Sequence, residues 1–222
     1  MNLQANITQI KQRINQALKA SDKGQDEVAL VVVTKSVAID TIKTAIAEGV
    51  ENIGENRIQD AKIKYQEIGN SVKWHMIGHL QRNKVRDAVK IFDIIHSVDS
   101  LRIAGAINEE AFQQNKIQDV LIQVNTSGEK TKYGLSPSEA DVFFGKVNEF
   151  PYLNIKGLMT IGPLSDELVQ IRGCFQQLFQ LYHSLKADGF SFAYLSMGMS
   201  DDFELAIHEG SNMVRIGRAI FR

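Results

Sequence analysis

Short apolar runs suited to buried strands alternate with helical segments along this chain, and that rhythm limits the available folds more than any other feature. An amphipathic helix is predicted first, over about Leu3–Ala20, with strands at 30–34, 50–54, 72–77, 92–96, 120–124, 155–160, 193–196 and 213–216. Helical patterns follow each of the first seven strands, around 39–48, 57–67, 83–89, 100–112, from Ser136 onward, 164–186 and 202–209. Regular βα alternation implies parallel pairing with right-handed crossovers. Eight such units in about 200 residues fit a closed barrel better than an open sheet. Only three prolines occur, and no Gly/Ser-rich linker divides the chain. The expectation is α/β: a single (β/α)8 TIM barrel over residues 1–222 with an extra N-terminal helix.

Composition narrows the function classes. Apolar residues make up 44% and charged residues 23%, as in an ordinary globular domain. A net charge of −1 gives no field that favours nucleic acid or an anionic membrane. The N-terminal segment carries charges throughout, unlike a signal peptide, and no run is long enough to span a bilayer, so a cytoplasmic monomer is expected. Cys174 is the only cysteine, which excludes an internal disulfide, and its helical surroundings read as core.

Three segments carry chemistry. Lys35 ends the apolar run Ala29-Leu-Val-Val-Val-Thr-Lys35, at the strand end where barrels place their sites. A partly desolvated amine there can attack a carbonyl, whereas an ordinary lysine there extends into water. In Tyr194-Leu-Ser-Met-Gly-Met-Ser-Asp-Asp-Phe-Glu204, Ser196 ends a strand and Gly198 admits close backbone approach. Ser200 in that segment suits either a helix cap or a phosphate. In the third, Arg215 ends the eighth strand and Gly217 follows, in the loop region where barrels often bind phosphate. Glu55 suits a base or a cap. His75 and His79 are four apart but not on a helix, and no metal motif supports them. Arg82, Lys84, Arg86 and Lys90 read as a solvated face, and His96, His183 and His208 show no constellation.

Together these segments resemble a known family. Thr34-Lys35-Ser36, Ile53-Gly-Glu-Asn56, Trp74 through Lys84, Gly157-Leu-Met159, Leu195 through Asp202 and Met213-Val-Arg-Ile-Gly217 resemble, in order and spacing, the motifs of the pyridoxal-phosphate homeostasis proteins. That family is similar to the barrel domain of alanine racemase, the fold-type III group. The resemblance implies pyridoxal 5'-phosphate held on Lys35 as a covalent aldimine. It implies that Ser196, Ser200 and the amides of Gly217 and Arg218 hold the phosphate, that Arg215 faces the pyridine nitrogen, and that Asn56 lies near the ring substituents. One departure is Arg218, where many relatives have a small hydroxyl residue; its guanidinium either clamps the anion or points to solvent.

The expected function is storage, buffering or delivery of the cofactor without robust catalysis, with apo pyridoxal-phosphate enzymes as recipients. A racemase needs a base on each face of its carbanion, and in the similar racemases the second comes from another domain. This chain ends at Arg222, directly after the eighth strand, so an open mouth is expected. Lys132, in the loop after the fifth strand, is a candidate for transient capture of the aldehyde or a plain solvated lysine. The alternatives are a fold-type III amino-acid racemase, with Glu55 or a histidine as second base, and a Schiff-base aldolase without the cofactor.

Overall fold

Eight parallel strands close into a barrel in sequence order, in a computed structural model that describes residues 2–147 and 149–222. They are β1 (Ala29–Val33), β2 (Asn52–Glu55), β3 (Lys73–Met76), β4 (Ile94–Val98), β5 (Gln118–Gln123), β6 (Leu153–Met159), β7 (Tyr194–Ser196) and β8 (Met213–Ile216). The helices are α1 (Leu3–Ala20), α2 (Ile39–Ala47), α3 (Ile58–Ile68), α4 (Val85–Ile91), α5 (Leu101–Gln113), α6 (Ala140–Val147), α7 (Leu168–Ala187), α8 (Phe203–His208) and α9 (Arg218–Phe221).

Helix α1 forms because Leu3, Ile7, Ile10, Ile14 and Ala17 recur on one face, and that face is buried. Asn2 caps its start by accepting from the Ala5 amide at 3.1 Å. The helix packs chiefly on α8 and α9, and Asn6 Nδ2 donates to the Ile220 carbonyl at 2.9 Å. The helix from Ser136 begins with a short 3-10 turn, where Ser136 and Glu139 form a capping box.

Two strata of apolar side chains follow from the strand alternation. Val32, Ile53, Trp74, Ile95, Val214 and Ile216 face the helices. Val31, Ile94, Leu121, Met159 and Met213 fill the barrel interior. Arg215 lies two residues from Met213, which gives it the inward parity of β8.

β2 begins at Asn52 instead of 50 and β6 at Leu153 instead of 155, and three further differences have a visible cause. β4 begins two residues late, because α4 runs to Ile91 and buries Phe92 outside the barrel. α7 begins at Leu168 instead of 164, because 161–167 form an extended loop that leaves Leu164 97% exposed. The chain after β8 is not loop alone, since residues 218–221 form the turn of α9.

Candidate functional site

β1 pairs with β8, and β8 with β7, so three chemically distinct strand ends meet at one seam of the barrel. Lys35 follows β1 in a turn, exposed, ahead of Ser36 at φ 60°. Of the two readings for Lys35, exposure matches the lysine that extends into water, and Thr34 beside it is the buried residue. Arg215 projects inward from β8 and is 4% exposed. Its Nη1 donates to Ser196 Oγ at 2.6 Å and its Nη2 to the Thr160 carbonyl at 2.8 Å. Burial lowers its pKa to about 10, against a raising effect of Asp202, so the guanidinium remains a cation at neutral pH.

The loop after β7 folds back on this seam. Gly198 has φ +95°, and an added Cβ would lie 2.6 Å from Ala206 Cβ and 2.9 Å from Phe203 Cα. Only glycine fits there. Asp202, not Ser200, occupies the cap position of α8, and its Oδ1 accepts from the Met199 amide at 2.6 Å. Ser200 is thereby released from capping, and its hydroxyl accepts from the Ala219 amide at 3.4 Å. Gly217 closes against β1, where an added Cβ would stand 3.0 Å from the Val33 carbonyl oxygen. The Arg218 guanidinium is exposed and pairs with Asp201 across the two loops. Ser196 is fully buried, and its hydroxyl oxygen is turned to Arg215.

β2 contributes two oxygens. Asn56 Oδ1 and Glu55 Oε2 are buried without a hydrogen-bond partner. Glu55 neither caps a helix nor faces the barrel mouth. Its Oε1 accepts from Lys64 Nζ at 2.6 Å and from Thr34 Oγ1 at 2.6 Å, while Lys64 also donates to the Thr34 carbonyl at 2.8 Å. This ion pair lies directly behind the turn that carries Lys35. Lys64 had a sequence signal, for it continues the buried i, i+3 row of Ile58 and Ala61 on α3.

The histidines also separate. His79 pairs with Asp99 at 3.3 Å and stacks on Tyr133 at 3.6 Å between ring centroids. His75 and His96 meet inside the barrel, Nδ1 to Nε2 at 2.9 Å, so His96 does belong to a constellation. Burial lowers the pKa of His75 to about 3, with the charge of Lys73 adding to the effect, and that of His96 likewise falls well below the usual imidazole range. Lys132 donates to Glu129 Oε1 and to the Gly162 carbonyl, both at 2.7 Å. Cys174 is half-buried, not core, with its thiol directed at the Thr126 carbonyl at 3.4 Å. Arg82, Arg86 and Lys90 are exposed and Lys84 half-buried. No helix among the described residues is long and apolar enough to cross a membrane.

The family model of the alanine racemase N-terminal domain matches residues 2–222. A pyridoxal phosphate homeostasis protein of Aquifex aeolicus is 36% identical over 223 residues, covering 100% of this chain and 98% of that one. PipY of Synechococcus elongatus, solved with PLP bound, superposes with a TM-score of 0.87 at 28% identity, covering 100% of both chains. An alanine racemase of Clostridium difficile shares the fold, with a TM-score of 0.81 at 21% identity; the match covers 99% of this chain and 56% of the racemase.

Proposed function

This chain belongs to the pyridoxal phosphate homeostasis protein family, and we propose that its β1–β7–β8 seam binds pyridoxal 5'-phosphate for storage, buffering or delivery. The carrying observation is Arg215, a buried cation held by two neutral acceptors; it lies on β8, the strand that pairs with the one preceding Lys35. Its remaining N–H groups suit an acceptor supplied from outside the chain. Asn56 Oδ1, buried and without a partner, suits a donor such as the ring hydroxyl. The residues present therefore fit the cofactor.

When bound, the cofactor supplies an aldehyde and a pyridine ring able to withdraw electrons. Lys35 is the amine proposed to hold it covalently, through Nζ and with loss of water. Its exposed turn leaves room for the aldehyde to enter and leave. Arg215 would donate to the ring nitrogen and keep it unprotonated, because a guanidinium has no proton-accepting atom. Ser200 and the amides of Gly217 and Arg218 would hold the phosphate, while the Arg218 side chain is engaged by Asp201.

Holding is favoured over turnover by the same groups. An unprotonated ring is the weaker electron sink. Glu55 is committed to Lys64 and His79 to Asp99, so neither carboxylate nor imidazole stands ready as a second base beside Lys35. Recipients would be apo enzymes that use this cofactor.

Borohydride reduction of the loaded protein, followed by peptide mass mapping, should place the adduct on Lys35, and Lys35→Ala should abolish it. An adduct confined to other lysines sinks the assignment. Racemisation or decarboxylation of amino acids at ordinary enzymatic rates, about 1 s⁻¹ or faster, sinks the carrier reading.

A further inference from the structure

Five side chains touch in series from the site into the barrel: Arg215, Ser196, His96, His75 and Asn52. Arg215 Nη1 donates to Ser196 Oγ at 2.6 Å, and Ser196 Oγ lies 3.4 Å from His96 Nδ1. His96 Nε2 lies 2.9 Å from His75 Nδ1, and His75 Nε2 lies 3.2 Å from Asn52 Oδ1. The two ends of the series have one role each. A guanidinium only donates, and an amide oxygen only accepts. With both imidazoles neutral, the protons between those ends have one consistent arrangement. His75 carries its proton on Nε2, to meet Asn52. Its bare Nδ1 accepts from His96 Nε2–H. The bare Nδ1 of His96 then accepts from the Ser196 hydroxyl. Every donor points away from the mouth, toward the start of β2.

The surroundings favour that neutral arrangement. His75 and His96 are both fully buried. Burial is the main cause; beyond it, Lys73 from β3 disfavours a charge on His75, and His75 and then Arg215 from β8 disfavour one on His96. The apolar interior around them comes from Val31, Ile94, Leu121, Met159 and Met213.

We infer that His96 and His75 are positioning residues for Arg215: they draw the Ser196 hydroxyl proton inward and leave its oxygen as a fixed acceptor for the guanidinium. This rests on the proposed cofactor site and sharpens it, because Ser196 serves the arginine that meets the ring and the phosphate is left to Ser200 and the loop amides. Two anchors, Ser196 Oγ and the Thr160 carbonyl, then aim the remaining N–H groups of Arg215.

Two measurements test it separately. Long-range nitrogen–proton spectra of the ligand-free protein should show both rings with a protonated Nε2 and a bare Nδ1, unchanged from about pH 8 to about pH 6. A proton on Nδ1 of either ring, or a doubly protonated ring in that interval, overturns the inference whatever the cofactor does. The second measurement titrates pyridoxal phosphate and pyridoxal, which lacks the phosphate, into Ser196→Ala and His96→Leu. Each variant should lose about tenfold in affinity for both ligands alike and shift the absorption of the bound chromophore. His96→Asn, whose side-chain oxygen can stand in the place of Nδ1, should recover most of that loss. A loss in Ser196→Ala confined to the phosphorylated ligand means that Ser196 holds the phosphate, and the inference fails. If the wild-type protein binds neither ligand, the cofactor proposal fails, while the imidazole spectra still decide the proton arrangement. Should His96→Leu not fold, Ser196→Ala and the spectra carry the test.

Discussion

Two buried cations sit within one strand of each other and are treated in opposite ways. Lys64, outside the barrel wall, meets a carboxylate at 2.6 Å and a carbonyl at 2.8 Å. Arg215, inside the wall, meets a hydroxyl and a carbonyl, and no carboxylate is in ion-pair contact with it among the described residues. A buried charge costs several kcal/mol in desolvation unless an opposite charge offsets it. The fold offsets that cost with a contacting carboxylate at Lys64, and at Arg215 only with neutral acceptors and the field of Asp202. The first cation has its counter-ion within the fold, and the second is the one that the proposed function assigns to a ligand.

If that contrast holds, stability and binding should separate between the two positions. The largest effect is expected from Glu55→Ala, which strands Lys64 without its counter-ion and should lower stability by about 3–5 kcal/mol. Denaturant titration checks this, and replacing both partners by apolar residues should restore most of the loss. An unchanged midpoint in Glu55→Ala would remove the distinction between the two cations.

Next is the pH response of the interior imidazoles. Their folded pKa values lie below the unfolded value, for His75 at about 3. The unfolded chain therefore binds the extra protons first as pH falls. Stability is full above about pH 6.5 and should fall below it by about 1.4 kcal/mol per pH unit for each histidine, toward pH 3 for His75. Replacing both histidines should flatten the curve, and denaturant midpoints at several pH values measure it.

Arg215→Met should leave stability unchanged or raised, since it deletes an uncompensated buried charge. The same change should weaken pyridoxal phosphate by about 1.5–3 kcal/mol, the value of a hydrogen bond to a charged group. Equilibrium titration beside a melting curve separates the two. A large stability loss with intact binding would reverse the assignment. The smallest effect belongs to Arg218→Ala. Its exposed pair with Asp201 should contribute under about 1 kcal/mol, and binding should barely change because the backbone amide remains.

Much of the barrel was legible before the structure. The short apolar runs located every strand, and the spacing of Leu3, Ile7, Ile10 and Ile14 located α1. What failed had local causes. Residues 218–221 are too few to show a helical period, and the apolar Phe92 looked like strand but packs outside the barrel. Within the site, Arg215 shares the inward parity of Met213 on β8, which the alternation of that strand makes visible, while Lys35 is marked by its place just past the end of β1. The His75–His96 contact was not visible, because it depends on the β3–β4 register, and that register pairs His75 with Ile94. Ser200 read equally well as a cap or an anion ligand until Asp202 was found at the cap position. Lys64 was the avoidable omission, since its place in a buried row was printed in the spacing.

The packing of Gly217 against Val33 has a kinetic consequence. Lys35 follows the first strand and Arg215 lies in the last, so the proposed site is complete only when those two strands pair. Such long-range pairing is the slow part of folding. A ligand that touches both sides of the seam acts as a fastener: it binds only the finished molecule and must leave before the seam can open. Loading should therefore slow unfolding more than it speeds folding. Amide exchange at β1 and β8 should be the first to feel it.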